Sequence, residues 1–185
     1  MHAEPMRRLL AGLIDYLLGF LALTFFAFLA FGRPNPTDEH LVFAFKAAAP
    51  VAVAELAALA WRTRPANRLI LGANLWLIAG GLAAWLEQWW WLLAYKQWGE
   101  AGLFATMMTV GFLSTAFSPT GFVGAVGPRH TTVIASAWLL VAVGFALLAA
   151  IYFRGDVKLA AVVRVIALSW VNRLLRHWVS RGEAV

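Results

Sequence analysis

Apolar positions along this chain come in long runs separated by short polar breaks. Leu9 to Phe31 is the first run, alanine-rich Leu41 to Trp61 the second, and a third starts at Leu69. Ala101 to Phe117 and Thr131 to Phe153 follow, and a last segment covers Val157 to Val171 before a basic tail from Asn172 to Arg181. A helix of about twenty apolar residues spans the ~30 Å hydrocarbon core of a bilayer. The breaks carry the chain-reversing residues: Gly32-Arg33-Pro34-Asn35-Pro36, Arg62 to Asn67 around Pro65, Ser118 to Pro128, and Arg154-Gly155-Asp156. The pattern predicts an all-α, polytopic transmembrane helix bundle of about six spans, forming one integral membrane domain over residues 1–185.

Charge placement orients the spans. The turn between the second and third runs carries Arg62, Arg64 and Arg68 with no acid, and Arg7 and Arg8 precede the first run. Short loops rich in Lys and Arg stay on the cytoplasmic side, so the pattern predicts an inner (plasma) membrane protein with both termini cytoplasmic. The last segment is the least regular, with Arg164 in the middle of its apolar part. If it spans, Arg173, Arg176 and Arg181 fall inside. The alternative is five spans plus an interfacial C-terminal helix.

Composition agrees with that reading. Hydrophobic side chains make up 62% of the 185 residues and charged ones 13%, too few to clothe a water-facing surface. The net charge of +6 sits in loops and at the C-terminus, where orientation accounts for it, so no nucleic-acid partner is expected. The expected partners are the bilayer itself and a membrane protein or a second copy of the chain. The chain has no cysteine, which removes disulfides, thiolate catalysis and thiolate metal sites. The N-terminal run is too long for a signal-peptide core and is expected to be kept as a span.

Charges inside spans are costly and therefore need partners, water or a ligand. Asp15 and Glu55 each lie about six residues from a cytoplasmic helix end, roughly 9 Å deep at ~1.5 Å per residue. Asn74 enters to a similar depth from the other side of the arginine turn. With the last helix ending near Val171, Arg164 lies about 12 Å from its inner end. Asp15, Glu55, Asn74 and Arg164 thus form a candidate intramembrane polar cluster. Ser114, Thr115, Thr132 and Ser136 belong to the same inner half. The cluster is either a water-accessible cavity handling a proton or cation, or an interhelical ion pair that fixes packing.

A second feature is the tryptophan-dense segment, with Trp89, Trp90, Trp91, Tyr95 and Trp98 as candidate interface aromatics. Trp and Tyr settle at the headgroup level, so Leu86 to Glu100 reads as an outer interfacial segment, either a helical extension or a short surface helix. An aromatic box for a cation is the less common use of such a cluster. His2, His40, His130 and His177 all fall at ends or in loops, and no phosphate-binding glycine loop or HExxH element is present. No metal, cofactor or catalytic residue is expected, and the protein is not expected to be an enzyme.

The segment Arg8-Leu9-Leu10-Ala11-Gly12-Leu13-Ile14-Asp15 is similar to the first helix of RDD-type membrane proteins, in which an Arg is followed by an Asp. Size and six-span plan also resemble the substrate-binding subunits of vitamin-type importers. No functional residue follows from either likeness. Two functions are in contention: a non-catalytic accessory, assembly or immunity-type subunit docking to a larger membrane complex, and a small solute- or ion-transport or solute-binding unit.

Overall fold

Two of the described helices begin where a side chain takes up the first free amide groups. Thr37 accepts the His40 N–H while the His40 ring accepts the Thr37 N–H, and Asn67 accepts the Leu69 N–H at 3.1 Å. The structure, a computed structural model, describes residues 20–32, 37–61, 67–153 and 163–181. Those residues form seven helices and no strand: α1 Leu21–Phe31, α2 Asp38–Ala60, α3 Arg68–Trp85, α4 Trp89–Trp98, α5 Ala101–Phe117, α6 Arg129–Tyr152 and α7 Val163–Arg181. Consecutive helices pack on one another. The bundle therefore has an arginine end, where Arg68 and Arg129 open α3 and α6, and a tryptophan end carrying Trp85 and Trp89 to Trp98.

Three of these helices, α2, α3 and α6, are long and apolar enough to cross a membrane, and α4 with α5 makes a fourth if that pair, bent by 97°, is counted as one. Among the described residues that is fewer than the six expected of the whole chain. At the N-terminal side the described helix starts only at Leu21, because Phe20 leaves the helical region at φ −122°, ψ 21°; Leu9 to Gly19 lie outside the described residues. At the C-terminal side α7 has 19 residues but contains Arg164, Arg173, Arg176 and Arg181, too many charges for a lipid-immersed span. Between α4 and α5 the break is at Gly99, whose φ of 54° favours glycine. Between α3 and α4 the chain turns at Leu86 to Gln88, where Glu87 takes a φ of 54°, so the tryptophan segment is a short separate helix rather than an extension of α3.

The core is held by close helix approach at small residues. A β-carbon on Gly81 of α3 would fall 2.2 Å from the Ala49 β-carbon and 2.9 Å from the Phe45 carbonyl of α2. Similarly, one on Gly72 would fall 2.7 Å from the Met107 α-carbon of α5. Only glycine lets these backbones meet, and the close approach gives the helices dispersion contact along their length. Above the Gly81 contact, four helices contribute one ring each to a closed aromatic cluster: Phe26, Phe45, Trp76 and Tyr95. Its centroid separations run from 4.6 Å for Phe26 with Phe45 to 5.9 Å for Trp76 with Tyr95.

Candidate functional site

Counting residues from the helix ends puts Glu55 and Asn74 at one level, and the packing of α2 on α3 brings them together. Glu55 is five residues from Ala60 and Asn74 six from Arg68, so each lies roughly 8–9 Å in from the arginine end. Both are buried, and the Asn74 side chain acts on the Glu55 carboxyl. The Glu55 Oε2 also accepts the backbone N–H of Ala22 at 3.1 Å. Ala22 is the second residue of α1, and its amide is one of the four that a helix start leaves without an intrahelical partner. An oxygen acceptor there satisfies that amide and sits at the positive end of the helix dipole. Glu55 Oε1 and Asn74 Nδ2 are buried without a hydrogen-bond partner among the described residues, an acceptor and a donor left over on facing side chains.

Arg164 does not join them. It is the second residue of α7, because that helix continues through the basic segment to Arg181 instead of stopping at Val171. Its guanidinium stands 5.9 Å over the Phe153 ring just past the end of α6, and its charge acts on Glu100 at the start of α5. The expected shared level with Glu55 is thereby corrected: seventeen residues, roughly 25 Å of helix, separate Arg164 from the Arg181 end. Asp15, Arg62, Arg64 and the whole Arg8 to Asp15 segment lie outside the described residues.

The candidate interface aromatics divide. Trp89, Trp90 and Trp98 are exposed, as membrane-belt residues would be. Tyr95 is buried in the aromatic cluster with Phe45 and Trp76, and Trp91 is half-buried with its ring 5.8 Å from that of Trp90. Trp91, Tyr95 and Trp98 therefore do not line one open box. Lys96 of α4 also makes a half-exposed ion pair with Asp38 of α2, 2.5 Å apart.

A second polar locus, not foreseen from the sequence, lies at the arginine end. The Ser118 to Pro128 connection folds inward: Phe122 and Val123 are fully buried, and Gly121 and Gly124 turn it at φ 57° and 64°. Three arginines from three helices hold this loop. Arg68 donates to Ser118 Oγ at 3.0 Å and Thr120 Oγ1 at 3.3 Å. Arg129 donates to the carbonyls of Thr115, Ala116 and Ser118, the free acceptors at the end of α5. Arg176 donates to the Gly124 carbonyl. Ser136 accepts the Val123 N–H, and Asn172 Nδ2 donates to Asn67 Oδ1 at 3.0 Å, tying α7 to the start of α3. The available signal was Phe122-Val123 between two glycines, an apolar pair set in a turn-rich stretch.

Compared with protein-family models, with curated proteins and with solved structures, the chain matches none of them.

Proposed function

We propose that this chain is a non-catalytic helical subunit of the inner (plasma) membrane, with its arginine end cytoplasmic, that docks to a larger membrane assembly or to a second copy of itself. The observation that carries this reading is the outward face of α6. Trp138, Val141, Phe145, Leu148 and Tyr152 are all exposed, at successive steps of three, four, three and four residues. These steps place the five large side chains on one helix face, the arrangement that packs knobs into holes on a facing helix. The inner polar groups support the same reading, because they serve as clips: Glu55 on Ala22, Arg129 on the end of α5, Asn172 on Asn67.

Because the chain has no cysteine, single-cysteine variants are clean probes. Cysteine at Phe145 or Trp138 is expected to cross-link, in native membranes, to one product of defined mass, and cysteine at exposed Phe112 on α5 is not. Equal, diffuse labelling at all three positions would reject a docking seam.

One observation favours the other class. Glu55 Oε1 and Asn74 Nδ2 have no hydrogen-bond partner among the described residues; a water could complete both, donating to one and accepting from the other, and a proton or small cation could complete Glu55. On that reading the protein is a small ion- or solute-transport unit. Purified chain in vesicles decides between them: a proton or cation flux lost in Glu55→Gln supports transport, and no flux in wild type together with the α6 cross-link supports the subunit.

A further inference from the structure

The outer side of α7 carries two parallel ridges. One is apolar and exposed, Ile166, Trp170, Leu174 and Trp178, each four residues from the next. Beside it, with the same spacing, runs a basic ridge of exposed Arg173, His177 and Arg181, confined to the half of the helix nearest the arginine end. Residues four apart on a helix stack along one line, so each ridge is continuous. Between α7 and the inward-folded loop lies an open groove of about 670 Å³, floored by Ala125 and Val126 and walled by Trp170, Arg173 and His177. Arg176 is already engaged by the Gly124 carbonyl, so the charge left to meet a guest comes from Arg173 in the groove and from Arg181, two turns further along the same ridge, with His177 between them as a polar partner.

We propose that this groove binds the headgroup of an anionic phospholipid, with an acyl chain lying along the Ile166 to Trp178 ridge. The inference rests on the membrane reading above. The occupant needs negative charge beside a long apolar part, as the two ridges lie, with only the apolar ridge continuing beyond Arg173 to Ile166. A free phosphate matches only the first. A basic cluster next to apolar helix surface at the cytoplasmic face is also where anionic lipids concentrate. Trp170 and Trp178, exposed beside the charges, supply rings that are half wet at the headgroup level.

The test uses the full chain. Carbonate extraction of native membranes comes first, and release of the protein there would overturn the membrane reading itself rather than the site. Retained chain is then purified in a neutral detergent, and its bound lipid is read by native mass spectrometry after exchange against equal phosphatidylglycerol and phosphatidylcholine. Wild type is expected to keep phosphatidylglycerol in preference. Arg173→Gln with Arg181→Gln is expected to lower that preference about fivefold per arginine, the usual gain of one basic group near an anionic surface. Lys96→Gln, at the tryptophan end, is expected to leave it unchanged. Inorganic phosphate at tens of millimolar is expected not to displace the lipid. Displacement by phosphate, or an unaltered preference in the double variant at unchanged melting temperature, would overturn the proposal.

Discussion

Glu55 closes the start of α1 from another helix: its Oε2 lies 3.1 Å from the amide of Ala22, 33 residues earlier in the chain. A carboxyl group within an apolar helix is thus tied to a backbone amide in the first turn of α1. The hydrogen bond, rather than the charge alone, is what the site requires. Glu55→Ala removes the acceptor and leaves the Ala22 N–H buried, at a cost of about 1–3 kcal/mol. Glu55→Gln keeps an oxygen in place and is expected to cost less than ~1 kcal/mol. Denaturation of the detergent-solubilised chain measures both, and equal losses in the two variants would assign the effect to charge.

The α2 and α3 contact is expected to be the least tolerant of added volume. In Gly81→Ala the new methyl would sit 2.2 Å from the Ala49 β-carbon, and neither side is a flexible side-chain end. The helices must separate, at a cost of about 1–3 kcal/mol. Ala49→Gly in the same chain removes the opposing methyl and should restore much of that loss. A double-mutant cycle on thermal stability checks the coupling, and simple additivity would place the strain elsewhere.

How far the sequence could be read follows from the physics of each feature. Apolar run length located α2, α5 and α6 to within about three residues, because burial in hydrocarbon or in a bundle asks for the same composition. The Glu55 and Asn74 levels came from counting along helices whose ends were marked by Asn67, Pro65 and the arginines. Arg164 was misplaced because the helix end was set where apolar character stops, while α7 continues through exposed Arg173 and Arg181 and through Arg176, which bonds the loop before α6. Tyr95 was assigned to an interface by residue type, and only tertiary contact with Phe45 and Trp76 shows it to be core. The inward fold of the Ser118 to Pro128 loop depends on arginines from distant helices, a relation that no local pattern contains.

Arg129 is expected to matter more than its exposed position suggests. It satisfies three carbonyls at the end of α5, and hydrogen bonds from a charged donor are worth more than neutral ones. Arg129→Gln should cost about 1–2 kcal/mol and speed amide exchange at the α5 end and in the loop after it. Exchange unchanged in residues 114–124, read by mass spectrometry, would mean that solvent replaces the guanidinium without loss.

The Lys96 and Asp38 pair gives the opposite expectation despite its short separation. Both side chains are about half exposed, at 46% and 57%, so water and salt screen the attraction and rotamer entropy opposes it. Lys96→Gln is expected to change stability by less than ~1 kcal/mol at low salt and by nothing measurable at high salt. What holds α4 is instead Tyr95, buried against Phe45 and Trp76, so Tyr95→Ala should cost about 3–5 kcal/mol, as loss of a large buried ring does. Comparing the two variants by denaturation separates the contributions. A larger loss from Lys96→Gln than from Tyr95→Ala would mean that the surface ion pair, and not the ring cluster, anchors this helix.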